Sequence, residues 1–342
     1  MLKINYSKNF DKNKYLKDIS NKPFRVYLCK KDKNNKCIKD DNNKTIRNIR
    51  TEFKNIDDFK QKKTVTLLEV FNKFKEIKKD NFDIIFKDIS FKCLLIGNFK
   101  TIQEIKQNIQ TDSAIKENKS IKFLFDYTNL RKTYISLFFE NNLNISTCYY
   151  CNIDYINSYN VEKKKKNKFT LDHYYDKSTY PYLSLSLYNL VPSCYACNSK
   201  LKGIVEFTNL SPSFQKFDFK NKVKFKLFLT ENCVDLNIKS LKNIDIELKE
   251  NYSNDYNGEK GYIETFKLNE RYKAHKDIVF EMIKKAELYP ESRLKELQDL
   301  TGIPYQQIKK DIFNLIDDDM DLSQKPFSKL IKDISKELEL IK

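Results

Sequence analysis

Two Cys-x-x-Cys pairs, Cys148-Tyr-Tyr-Cys151 and Cys194-Tyr-Ala-Cys197, constrain this chain more than any other feature. Each short loop offers two thiols at a spacing that suits one side of a tetrahedral ion. Four thiolates would complete a Zn²⁺ site with Zn–S distances of about 2.3 Å. A shell of four sulfurs leaves no open position, so the predicted zinc is structural. Its binding, on the order of 10 kcal/mol, then forms part of the folding free energy. The inner cysteines, 151 and 194, are too far apart for a compact ribbon, so the intervening residues must build something of their own.

That interval holds Asp172-His173, and His173 is one of only two histidines in the chain. Phe169-Thr-Leu reads as a strand leading into the dipeptide, and alternation sends the two side chains to opposite faces. A loop over Tyr174–Leu187 follows, then Asn189-Leu190-Val191 as a second short strand. Cys194–Lys202 reads as a helix carrying Asn198. Taken alone, Asp172-His173 is a satisfied polar pair at a strand end. Its register with both cysteine pairs and both asparagines makes it the candidate catalytic centre. The other histidine, His275, has no ligand set around it and is read as structural or exposed.

Asp172-His173, Asn189, and Asn198 directly after Cys197 resemble the HNH endonucleases of the ββα-metal type. The match is to the zinc-bound branch with two Cys-x-x-Cys pairs, in its H-N-N form. It covers roughly 60 residues. The tail stretches Leu268-Asn-Glu-Arg-Tyr272, His275-Lys and Pro326-Phe-Ser-Lys-Leu resemble, more loosely, extensions on HNH proteins of prokaryotic phage-defence loci. The resemblance implies that His173 is the general base, and a pKa near 6.5 suits that role. It implies that Asp172 and Asn198 hold one divalent ion, Mg²⁺ or Mn²⁺, through hard oxygen donors. Asn189 is implied to fix the backbone of the His173 loop. The implied products carry 5′-phosphate and 3′-hydroxyl ends. Family members often carry Pro where Asp176 stands, and Asp176 is read as a turn cap or added charge, not as a ligand.

The formal net charge is +17, which favours a polyanionic partner. Only six basic residues are Arg, and Asn, Ile, Tyr and Phe are abundant, so biased composition accounts for the charge equally well. Lys200 and Lys202 on the helix, and Lys163, Lys164, Lys165 and Lys166 before the first strand, are candidate nucleic-acid contacts or solvated faces. No apolar run approaches a membrane span, and the start lacks an apolar signal segment, so a cytoplasmic protein without membrane contact is expected. The scattered cysteines 29, 37, 93 and 233 are expected as free thiols rather than a disulfide framework.

Apolar spacing predicts helices over 63–80 and 120–142, strands over 223–229 and 244–248, and a helix capped by Asn269. The second helix carries an aromatic stripe, read as core. The apolar run Tyr182–Leu187 is read as packing against the helical regions. No internal repeat is expected. The fold class is thus α-rich α+β. A mainly helical domain spans 1–145, a zinc-stapled nuclease core 146–210, and a β-hairpin plus helical domain 211–342. The expected function is a metal-dependent endonuclease acting on DNA in phage defence or restriction. The resemblance also implies a separate partner encoded nearby, an ATPase or sensor, and the chain itself has no Gly-x-x-x-x-Gly-Lys-Ser/Thr loop. The alternatives are a non-catalytic zinc-stabilised nucleic-acid-binding module and an RNA-cleaving toxin.

Overall fold

A computed structural model of the chain describes residues 1–6, 10–109, 113–162, 164–207, 210–231, 233, 238–251, 256, 261–317 and 319–341. The chain is mixed, with 48% helix and 14% strand. In place of three consecutive domains it forms two compact units. One comprises Asn9–Phe138 with Tyr175–Asn189; the other comprises Met1–Lys8, Phe139–Tyr174 and Leu190–Lys342. No helix among the described residues is long and apolar enough to cross a membrane.

The first unit is helical around an aromatic core. Helices α1 (Lys12–Ser20), α2 (Leu67–Glu76), α3 (Phe91–Ile96), α4 (Phe99–Asn108) and α5 (Lys119–Leu124) surround it. Its centre includes Phe71, Phe74, Phe82, Phe86 and Phe91, with ring centroids 4.5–5.9 Å apart. The predicted helix over 63–80 begins instead as strand β4 (Thr64–Thr66), paired with β1 (Pro23–Arg25). Thr66 then switches the chain to α2 through a reciprocal cap with Glu69, which satisfies donors that the first helical turn leaves open. The predicted helix over 120–142 is broken after α5, because Asp126 caps a new start by accepting from Thr128 N and Asn129 N. Its stripe is core as expected: Leu124, Tyr127, Leu130 and Phe138 are buried. Leu137, placed on the same face from sequence, is exposed.

Tyr182–Leu187 belongs to this unit and is buried, as its apolar pattern required. Ser184 Oγ donates to Phe125 O, Ser186 Oγ to Leu94 O, and Tyr15 Oη donates to Leu185 O at 2.7 Å.

Two expectations fail between β2 (Tyr27–Cys29) and β3 (Arg47–Ile49). Cys29 and Cys37 are joined by a disulfide and are not free thiols. Local hairpin geometry pairs Lys31 with Cys37 and closes the loop, a constraint that cysteine spacing alone does not carry. The chain also contains a repeat. Lys31-Asp32-Lys33-Asn34-Asn35-Lys36-Cys37-Ile38 recurs as Lys39-Asp40-Asp41-Asn42-Asn43-Lys44-Thr45-Ile46. Asp32 and Asp40 each accept two backbone N–H groups, and Asn35 and Asn43 each take a left-handed conformation (φ 62° and 61°). Asn tolerates that region better than most residues, since its short polar side chain bonds locally.

The second unit carries the cysteines. Strands β7 (Thr170–His173) and β8 (Leu190–Ser193) form an antiparallel pair, and helix α6 (Ala196–Lys202) follows. A longer antiparallel pair, β9 (Val223–Leu229) and β10 (Ile244–Glu250), bears out both strand predictions and extends the second by two residues. Helices α7 (Leu268–Lys273), α8 (Asp277–Leu288), α9 (Glu291–Thr301), α10 (Tyr305–Phe313) and α11 (Ser328–Glu337) complete it. Asn269 does not cap a helix. It lies within α7, and its Oδ1 accepts from Leu248 N at 2.8 Å, pinning α7 to β10. The chain turns again at 274–276 before α8. His275 is half-buried against Phe327, ring centroids 4.7 Å apart.

Candidate metal centre and strand-end site

The strand–loop–strand–helix reading of 169–202 matches the observed elements, with register Thr170↔Ser193, Leu171↔Pro192, Asp172↔Val191 and His173↔Leu190. Cys194 follows β8 and Cys197 sits in the first turn of α6. The other pair lies on a tight turn closed by the Thr147↔Tyr155 bridge, where Asn152 takes φ 56°. The four Sγ atoms of Cys148, Cys151, Cys194 and Cys197 lie within 4.8 Å of one another, and all four residues are buried. A tetrahedral zinc at about 2.3 Å sets its sulfurs about 3.8 Å apart, so this set fits the ion. Backbone N–H groups already face the sulfurs: Ile153 N donates to Cys151 Sγ and Cys197 N to Cys194 Sγ, each at 3.4 Å. Burial pushes the Cys148 thiol well above its ordinary range. Burial opposes ionisation of Cys151 too, but thiol donors from Cys148, Cys194 and Cys197 hold it well below that range. A divalent cation would supply the charge that lets the remaining thiols ionise.

Two of the three tail stretches that the sequence singled out close on this cluster. In α7, Arg271 donates from Nη1 to Cys197 Sγ and from Nη2 to Asp154 Oδ2, each at 3.2 Å. Tyr272 Oη donates to Cys151 O at 2.7 Å. From Pro326-Phe-Ser-Lys-Leu, Phe327 N donates to Asn152 O at 2.7 Å, and Ser328 Oγ and Lys329 N donate to Asn152 Oδ1. Asn152 Nδ2 donates in turn to Leu322 O and Lys325 O. Cluster and tail share one unit because the metal loop and the tail satisfy each other's buried polar groups. That is the physical reason why no boundary falls at 210.

Three of the four predicted catalytic residues, Asp172, His173 and Asn198, lie on or against β7. Asp172 is 3% exposed and His173 8%. Asp172 Oδ2 accepts from Tyr150 Oη at 2.6 Å and lies 3.2 Å from Lys202 Nζ. Burial and the Asp172 charge push the Tyr150 phenol well above its ordinary range, which keeps it a donor. Lys202 Nζ also donates to His173 O at 3.1 Å. Asn198 Nδ2 donates to Thr170 Oγ1 at 3.0 Å. Thr170 and Asp172 stand two apart and share one strand face, so Asn198 and Lys202, four apart on α6, cover that same face. The face thus combines a carboxylate with an amide group. The carboxylate is at the same time committed to an ammonium.

Lys202, read as a phosphate contact or part of a solvated helix face, is on neither kind of surface: it is 1% exposed and turned inward. Helical spacing from Asn198 could have signalled this, since residues four apart share a helix face. Tyr150 was missed altogether, because nothing in the first cysteine loop marks which of its two buried tyrosines reaches Asp172. Lys200 is exposed, with its ammonium 5.9 Å from the Tyr195 ring. Lys166 is exposed on the hairpin β5 (Tyr159–Val161)–β6 (Lys164–Lys166). Lys163 lies outside the described residues, and the side chains of Lys164 and Lys165 are likewise not described.

Asn189 belongs to the other unit and is fully buried there. Its Oδ1 accepts from Tyr175 N at 2.8 Å, and its Nδ2 donates to Tyr175 O at 3.0 Å and Leu183 O at 3.1 Å. It clamps the main chain two residues beyond His173. Asp176 caps a turn there, accepting from Ser178 N and Thr179 N. No protein-family model, no curated protein and no solved structure matches the chain.

Proposed function

We propose that the chain is a metal-dependent endonuclease with an HNH-type core, hydrolysing phosphodiester bonds in DNA. The observation that supports this reading is that Asp172 and His173 end β7 while Asn198 bonds Thr170 of the same strand from the following helix, in a unit that brings four buried cysteines together. In this reading zinc at Cys148, Cys151, Cys194 and Cys197 holds the hairpin to the helix. Asp172 and Asn198 hold a Mg²⁺ or Mn²⁺ ion, which offsets charge on the phosphate and on the leaving oxygen. His173 takes the proton from the attacking water. Asn189 fixes the turn after it, and Lys200 and Lys166 meet the phosphate backbone. The net charge of +17 favours a polyanionic substrate. The tail resemblance extends the proposal to an effector of phage defence or restriction working with a separate ATPase or sensor protein.

One observation favours a second reading. The ion pair between Asp172 and Lys202 is also what a purely structural Asp-His pair would show, as in a zinc-stabilised module that binds nucleic acid without cutting it. Plasmid nicking with Mg²⁺ or Mn²⁺ separates the two. His173→Ala should lower the cleavage rate about 10²–10⁴-fold while leaving zinc content and binding intact. Equal inertness of wild type and variant would favour the binding module. Competition between labelled DNA and RNA distinguishes an RNA-cleaving enzyme.

A further inference from the structure

The site holds a cation of its own. Lys202 sits inside the unit, its side chain shielded from solvent, with Nζ 3.2 Å from Asp172 Oδ2 and 3.1 Å from His173 O. An aspartate this buried cannot stay charged alone without a cost of several kcal/mol. Tyr150 supplies one hydrogen bond but no charge. The Lys202 ammonium supplies a positive charge in direct contact with the carboxylate, and it arrives from the helix that carries Asn198. It spans the two residues of the catalytic dipeptide, one by its side chain and one by its main chain.

We infer that Lys202 is the resident counter-ion of the candidate divalent-metal site, an inference that rests on the nuclease reading above. It holds the Asp172 carboxylate in place when no divalent ion is bound, and it lowers the site's affinity for that ion by like-charge repulsion. A divalent ion reaching Asp172 must share the carboxylate with Lys202 or displace it. Lys202 is a positioning residue here: it acts through Asp172 and the His173 main chain, and it transfers no proton.

The test measures Mn²⁺ binding to the zinc-loaded full chain by electron paramagnetic resonance, without nucleic acid. Wild type, Asp172→Asn, Lys202→Met and Lys202→Gln are compared, with zinc content and circular dichroism as controls for folding. Wild type should bind Mn²⁺ weakly, and Asp172→Asn should abolish that binding. Lys202→Met should bind at least about fivefold more tightly, because a unit charge within a few ångströms of the ion is gone. Should Lys202→Met fail to fold, Lys202→Gln removes the charge while keeping a donor for His173 O. Affinity unchanged or weakened in a folded Lys202 variant, with Asp172-dependent binding intact in wild type, would overturn the counter-ion role and leave the metal site standing. Absence of Asp172-dependent Mn²⁺ binding in every protein would overturn both.

Discussion

Among its described residues the second unit holds two buried lysine–aspartate pairs, and they are put to different ends. Lys329 and Asp333 stand one turn apart on α11. Lys329 Nζ donates to Val223 O at 2.7 Å and Lys220 O at 3.2 Å, and Asp333 Oδ2 accepts from Phe225 N at 3.0 Å. This pair is local in sequence and saturated by backbone groups, and it fastens α11 to β9. Lys202 and Asp172 lie on a helix and a strand 30 residues apart, next to His173 and Asn198. The first pair caps main-chain groups at the end of a strand. The second ties the helix that carries Asn198 to β7, at the Asp172 side chain and the His173 main chain. Burial of an ion pair is thus no mark of function by itself, and the neighbours of the pair decide.

The largest expected effect comes from removing what both pairs depend on. Chelation of zinc, or Cys197→Ser, should unfold the second unit, since metal binding on the order of 10 kcal/mol is then lost from its folding. Loss of its circular dichroism signal together with zinc release would be the readout; a fully folded, zinc-free chain would contradict the structural role. Acidification should release the zinc as well, because the thiols regain their protons.

Next in size is Lys329→Met, which leaves Asp333 with Phe225 N–H and the more distant Lys224. Urea unfolding should show a loss of about 3–5 kcal/mol, typical of breaking one side of a buried pair. Cleavage by the protein that remains folded should be unchanged. Lys202→Met should reverse that pattern by changing metal dependence. If both variants alter metal response alike, the contrast between the pairs fails.

A pH dependence sharpens the comparison further. Burial pushes the Lys329 pKa down from 10.5 to about 8. Between those values the unfolded chain binds the extra proton and the folded chain does not. Stability should therefore rise with pH from about 8 to 10.5, by up to roughly 3 kcal/mol, and this contribution should be flat below that window. In Lys329→Met that rise should vanish, as denaturation series across this window would reveal.

The smallest predicted effect is at Arg271. Arg271→Met should weaken the hold on the cluster by about 1–3 kcal/mol, the usual cost of a charged hydrogen bond. It should show as faster zinc transfer to a chromogenic chelator. Arg271→Lys should recover only part of this, since an ammonium cannot reach Cys197 and Asp154 as a planar fork.

Much of the site was legible because its signals are local. Cysteine spacing located the metal cluster, and the short strand readings at Phe169–Leu171 and Asn189–Val191 located the hairpin before the helix. The aromatic runs of the first unit and the alternation in β9 and β10 likewise follow from short-range periodicity, which a one-dimensional reading can detect. The breaks within 63–80 and 120–142 escaped that reading because a single cap, Thr66 or Asp126, outweighed a continuous apolar stripe.

Sequence alone therefore determined which residues could do chemistry here: four cysteines for a metal, and an Asp-His dipeptide flanked by two asparagines. Tertiary structure decided what each is tied to. Lys202 turned inward, Tyr150 reached Asp172 from within the metal loop, Arg271 and Phe327 folded back on that loop from the tail, and Cys29 bonded to Cys37. These partners come from the need to satisfy buried charge and buried backbone groups. That demand acts between residues far apart in the chain, so no spacing rule records it.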